Sequence, residues 1–477
     1  MKKGQSKTKL TYERKNFWKD APATEQKAAI EYAVEYRNYL NQAKTERETV
    51  AWTEAYLKKH KFTDIKGRKG SKKVYSIFRG RTMAMAILGT DPLSQGFNMV
   101  ASHIDSPRID LKQNPLYQDG PSEMACMRTH YYGGIKKYQW VSTPLALHGV
   151  VIKSDGNKIN IHLGEEENEP VFIIPDLLPH LARKEQYSKN INEAIDASKL
   201  NLVFSGMVEP SSEEKEAAKL FALEVLNKTY GITEKDFLSA ELYLVPAFKA
   251  RDAGIDSSMV AGYGQDDRIC AYTALTALTN ANLTNPERTM IVYFSDKEEV
   301  GSQGATGANS IFIQDFVSDL MEYKGEENTS TNLRKAFINS HIISADVTAA
   351  IDPNYPNVHE KQNAVIFNHG IGIAKFTGSG GKYSCNDANA EFTAKILKIF
   401  TEAGVFWQLG ELGKVDEGGG GTIAYILANL GAEVIDCGVG IMGMHSLYEL
   451  CSKADLYSTY KAYQAFLTTN KLERSIP

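Results

Sequence analysis

RICAYTALTALTNAN (residues 268–282), TMIVYFSD (289–296), NSIFIQDFVSDLMEY (309–323) and HIISADV (341–347) follow one another along the chain. The first and third carry apolar residues at helical spacing, whereas the second and fourth are short unbroken apolar runs. Unbroken runs of this length belong to strands covered on both faces, as in a parallel sheet. Helix and strand therefore alternate, and the pattern predicts an α/β fold with a mixed, mainly parallel sheet flanked by helices. In such sheets the chemistry gathers beyond the C-terminal ends of the strands.

Upstream, VYSIFRG (74–80), TMAMAILG (82–89) and GFNMVASHIDSP (96–107) read as further strands, the last one buried. The segment from Glu25 to Lys59 has apolar residues three and four apart behind Thr24, a residue able to cap a helix, and predicts two helices. Between Lys112 and Leu244 the texture changes. PLALHGVVI (144–152), KINIHLG (158–164) and PVFIIPDLL (170–178) are strand-like pieces joined by polar loops such as GEEENEP (164–170). The division expected is a catalytic unit in two parts, residues 1–112 and 246–477, interrupted by a β-rich lobe over residues 113–245. No internal repeat is present.

With 43% hydrophobic and 23% charged residues over 477 positions, the chain can bury a large core, and disorder is not expected away from its ends. A net charge of −4 gives no field that would gather nucleic acid or an anionic membrane. Only the first twenty residues, from Lys2 and Lys3 to Lys19, are basic; they read as a solvated arm able to order against a neighbouring subunit, with a targeting role as the alternative. They lack the apolar run of a secretory signal, and no stretch of ~18 apolar residues occurs to span a bilayer. A cytoplasmic protein is expected. Cys126, Cys270, Cys385, Cys437 and Cys451 are scattered, form no CxxC pair, and read as reduced core thiols.

Four apolar strands end in carboxylates or imidazoles: His103 and Asp105; Asp296, Glu298 and Glu299; Asp346; and His445. Any one of these has a plain reading as a turn residue, but four strand ends that converge make a site. Nitrogen and carboxylate donors without thiolates suit zinc, manganese or cobalt. Asp266, in GYGQDDRICAY before a helix, is placed to bridge two ions ~3.5–4 Å apart. Asp105, two residues after His103, can fix the imidazole tautomer offered to a metal. Glu298 and Glu299 allow one to bind metal while its neighbour takes a proton from water. Other signatures fail. GSGGKYS (378–384) has Tyr383 where a phosphate loop needs Ser or Thr, EGGGGT (417–422) is a substrate-side loop or a plain turn, and no GxSxG is present.

SHIDSPRIDLK (102–112), GQDDR (264–268), SDKEEVGSQGATGA (295–308), SADVTAAIDPNYP (344–356) and GMHS (443–446), in this order, resemble the aspartyl aminopeptidase and aminopeptidase I family of zinc exopeptidases. The likeness runs from about Phe97 to the end. It implies one metal on His103, Asp266 and Asp346 and a second on Asp266, Glu299 and His445, with Glu298 as general base and Asp105 behind His103. It also implies a dimerisation lobe from Gln113 to Val245, a tetrahedral dodecamer of dimers, and a cis peptide bond between Asp266 and Asp267. Lys375 and Tyr383, in AKFTGSGGKYS, fall where family members hold substrate, and His180 is counted with them. Two positions depart from the family: Asp267 stands where Asn is common, and Lys184 where aspartyl-selective members have a second His four residues after His180. Selectivity for acidic first residues is therefore open.

The reading that follows is an aminopeptidase that cleaves the first peptide bond with water activated by two divalent ions, zinc foremost. Two others stand beside it, a metal-dependent deacylase or dipeptidase on the same core, and a non-catalytic self-assembling particle.

Overall fold

The computed structural model describes residues 10–67, 70–210, 212–283 and 285–470. The start of the basic arm, residues 1–9, lies outside them. The remainder of the arm packs on the chain's own body: Tyr12 stacks on Trp407 with 5.4 Å between ring centres, and Arg14 donates to the carbonyl of Ala364 at 2.6 Å.

Nine strands form the central sheet, in the order Thr63–Asp64, Lys73–Phe78, Thr82–Ile87, Thr289–Ser295, Phe97–His103, His341–Ser344, Glu433–Gly438, Ile371–Ala374 and Trp407–Leu409. The four strands from Thr289–Ser295 to Glu433–Gly438 run parallel. Their side chains alternate between two buried layers. Met290, Val292 and Phe294 belong to the core layer that also holds residues of the helices Ala23–Gln42, Glu46–Lys59, Gln265–Thr279, Ala390–Glu402 and Lys453–Thr468, while Ile291 and Tyr293 belong to the layer that holds residues of Phe312–Lys324, Ser330–Ile338 and Ala424–Ala428. Burial on both faces is why the strand sequences are unbroken apolar runs.

Two local expectations need correction. The first long helix starts at Ala23 behind Pro22, so Thr24 lies within its first turn; the second is capped by Thr45, whose hydroxyl and Glu48 form a reciprocal capping box. PVFIIPDLL makes only isolated bridges, Leu145 with Phe172 and Ile173 with Val203. Pro170 at its start and Pro175 within it remove N–H groups a ladder would need.

Residues 108–246 build a separate six-stranded antiparallel sheet, ordered Lys158–Leu163, Leu145–Ile152, Glu241–Pro246, Arg108–Gln118, Ala125–Tyr132 and Leu202–Ser205. It has its own core around Trp140, Leu147, Leu202 and Leu244. A third sheet of five short strands includes Met259–Gly262, Gly440–Met442 and Glu449–Ser452, and so flanks the loops that carry Asp266 and His445. Four cysteines are buried thiols; Cys385 is partly exposed and is not a core residue. Among the described residues no helix is long and apolar enough to cross a membrane.

Candidate metal centre

The parallel register places Ser295 opposite His103, so the residues that follow both strands emerge at the same level of the sheet. Asp346 arrives beside them from the strand His341–Ser344, whose neighbour comes unusually close: a Cβ on Gly438 would lie 1.7 Å from the Asp346 carbonyl oxygen. Only glycine permits that approach. Asp266 enters at the head of the helix Gln265–Thr279, where the backbone at 266 and 267 is not yet helical and the peptide joining them is cis, as the resemblance implied.

These elements bring the expected residues together around Asp266. His103 Nε2 lies 3.1 Å from Asp266 Oδ1 and 3.9 Å from Asp346 Oδ1. His445 Nε2 lies 3.1 Å from Asp266 Oδ2 and 3.4 Å from Glu299 Oε2. Each oxygen of one buried carboxylate thus faces a different imidazole. Behind them, His103 Nδ1 sits 3.0 Å from the carbonyl of Asp105 and 3.3 Å from its carboxylate, and His445 Nδ1 sits 2.8 Å from the carbonyl of Gly134. Such contacts fix which ring nitrogen is offered forward. The Asp105 carboxylate also accepts the backbone N–H groups of Glu298 at 3.0 Å and Glu299 at 3.2 Å, and the Tyr132 hydroxyl at 2.8 Å.

Sequence reasoning missed Glu449. Its two oxygens accept the N–H of His445 at 2.8 Å and of Asp266 at 3.2 Å, tying the two loops into one frame. His445 has φ 64° and Lys297, just before Glu298, has φ 65°. Left-handed backbone at non-glycine residues marks places where surroundings dictate conformation, often functional ones. Glu449 is four residues after His445, and nothing in that spacing announces it. Asp296, a strand-end acid like the others, is used differently: it accepts from Arg81 at 2.9 Å and from Thr306 at 2.6 Å.

Electrostatics favour cations here. Burial pushes Glu298 up to about 7, with Asp105 and Asp266 adding to the rise and His103 opposing it. Burial and the Asp266 charge hold Glu299 well above the usual carboxylate range, and Asp346 and Asp267 rise for the same first reason. Burial works against a charged His445, but Asp266 and Glu299 outweigh it and lift the imidazole to about 10. Carboxylates thus outnumber imidazoles in a buried cleft, and Glu299 Oε1 is left without a hydrogen-bond partner. Buried charge of one sign requires a counter-charge, and His103, Asp266 and Glu299 present donor atoms within 4.8 Å of one another, as do His103, Asp267 and Asp346. The donor set fits a divalent ion.

The cleft in front of these residues has a volume of about 490 Å³, within the range of small-ligand pockets. Its walls include Val347, Thr377, Ser384, Leu412 and the run Gly419 to Gly421, with the buried Asp436 at its margin. Lys375 and Tyr383 flank the wall residues Ala374, Thr377 and Ser384 without being part of the lining; Lys375 lies 3.7 Å from Asp387, and Tyr383 is exposed. His180 is exposed in the β-rich segment and takes no part in the lining.

A parallel sheet with imidazoles and carboxylates at its strand ends is the build of a metallohydrolase. The family model described as aminopeptidase I zinc metalloprotease (M18) matches residues 39–467. A probable M18 family aminopeptidase 1 of Clostridium acetobutylicum is 48% identical over 465 residues, covering 96% of this chain and 99% of that protein. The crystal structure of an M18 family aminopeptidase from Thermotoga maritima is 45% identical with a TM-score of 0.91, covering 96% of this chain and 99% of that one. The S. cerevisiae protein mApe1, solved as a dodecamer, is 21% identical with a TM-score of 0.73 over 92% of this chain and 96% of that one, a likeness of fold. The chain belongs to the M18 family of zinc metalloproteases and is an aminopeptidase.

Proposed function

We propose that the chain removes the N-terminal residue of peptides with two divalent ions, zinc in first place and cobalt or manganese as possible substitutes, held around Asp266. The observation that carries this reading is the pair of imidazoles on opposite oxygens of one carboxylate. His103, Asp266 and Asp346 would hold one ion, and Asp266, Glu299 and His445 the other. Bound there, such ions polarise a carbonyl and make water more acidic. Glu298, half-buried and lining the cleft, takes the proton of the attacking water and returns it to the leaving amine. A carboxyl group can make both transfers. Asp105 keeps His103 in one tautomer and holds the Glu298 and Glu299 backbone in place.

Val347, Leu412 and Met444 line the cleft, and no lysine or arginine does so among the described residues. That lining supports a neutral first residue, with Lys375, Tyr383 and His180 as outer substrate contacts. The β-rich segment, residues 113–245, serves as the dimerisation lobe, and dimers assemble into a tetrahedral dodecamer in the cytoplasm. A panel of amino-acid anilides with added zinc, cobalt or manganese tests the activity. Leucine or alanine anilide should be cleaved faster than the aspartate anilide, and blocking the free amine should abolish turnover. Hydrolysis of N-acylated substrates at equal rate would sink the aminopeptidase reading.

A further inference from the structure

A second set of metal-type donors lies where the helix Glu46–Lys59 meets the six-stranded sheet. One donor atom each from Glu48, His148 and His162 fall within 4.8 Å of one another. Ligands of a tetrahedral zinc with bonds of ~2.0–2.1 Å lie about 3.3 Å apart, so small side-chain shifts would close the set. His148 and His162 are directly opposite on neighbouring strands, with ring centres 4.3 Å apart.

The support behind these donors is already built. Glu48 Oε1 lies 2.7 Å from His148 Nδ1, while Glu48 Oε2 is fixed by the backbone N–H groups of Lys44 and Thr45 at 3.0 and 3.1 Å. The other nitrogen of His148 faces Glu165 Oε1 at 3.0 Å. A carboxylate behind a histidine is the arrangement that orients an imidazole toward a metal. Lys44 balances Glu165 at 2.6 Å and is otherwise occupied by the carbonyls of Pro246 and Phe248. His148 is fully buried, whereas His162 is exposed, so an ion and a completing water can enter from one side.

We propose that Glu48, His148 and His162 form a structural divalent-cation site of the zinc class, separate from the Asp266 centre, that staples the β-rich segment to the catalytic core. Binding at His148 Nδ1 displaces its proton to solvent, and Glu48 passes from hydrogen-bond partner to ligand. None of the three residues lines the catalytic cleft.

The test is zinc counting on the full chain. Wild type and His162→Ala are stripped with chelator, reloaded with zinc chloride, separated from free metal and analysed by mass spectrometry. Wild type should hold one more zinc per subunit than His162→Ala, with unchanged peptidase turnover in the variant. Zinc should also raise the Tm of wild type more than that of the variant. Glu299→Gln, altered at the Asp266 centre, should keep the zinc that depends on His162, so the two centres are counted independently. Equal zinc content in wild type and His162→Ala, or an equal Tm response, would overturn the proposal and leave these residues as a buried hydrogen-bond network.

Discussion

Glu298 and Glu299 are neighbours in sequence, and geometry separates them. Glu299 reaches His445, whereas the Glu298 carboxyl accepts no hydrogen bond among the described residues and is raised to about 7 by burial. Glu298→Gln keeps the shape and removes the proposed base, so kcat should drop by at least ~10²-fold with the proposed metals retained. Glu299→Gln should instead lose metal, which elemental analysis would detect. Glu449→Gln offers one acceptor to two N–H groups, so a buried donor at Asp266 or His445 goes unpaired at a cost of ~1–3 kcal/mol. Weaker zinc binding in calorimetry should follow, and wild-type affinity would show that Glu449 does not organise the site. The acids at strand ends were legible because an apolar run makes them conspicuous. Glu449 and Tyr132 were not, since the tie of Glu449 to Asp266 and of Tyr132 to Asp105 forms only in the folded chain.

Arg108 joins the β-rich segment to the core, stacking between Tyr132 and Tyr243 at 4.0 and 3.9 Å and pairing with the buried Glu46 at 3.1 Å. Arg108→Met strands part of that charge, although Arg81 still reaches Glu46 at 2.9 Å. Urea unfolding should lose about 3 kcal/mol, the low end for breaking a buried pair; an unchanged midpoint would contradict the pairing. His341 gives a pH signature. Burial, with Arg288 and Lys395 nearby, pushes its imidazole down to about 3, while the unfolded residue titrates near ~6.5. The stability carried by neutral His341 is full above ~6.5 and is lost as pH falls toward 3. His341→Leu should therefore flatten the decline of Tm below about pH 6.5. The central strands were readable because burial on both faces makes them uniformly apolar. PVFIIPDLL misled because only Phe172 and Ile174 pack inward and only isolated bridges pair it, which composition alone does not reveal.

Across the whole molecule, Leu177, Leu178, Leu181, Tyr187 and Ile191 are all exposed on the β-rich segment, and exposed apolar side chains grouped this way mark a surface suited to a partner subunit. Obligate interfaces commonly bury over ~2,000 Å², so light scattering should give a mass of many subunits, and Leu181→Glu should shift it toward smaller species. A monodisperse wild-type monomer would contradict this. Asp266 is the proposed shared ligand of both ions. The direct measurement is an anomalous difference map at the zinc edge from zinc-loaded crystals of active protein. Two peaks should flank Asp266, one against His103 and Asp346 and the other against Glu299 and His445. A single peak in fully active crystals, or peaks that do not touch Asp266, would contradict the two-metal assignment.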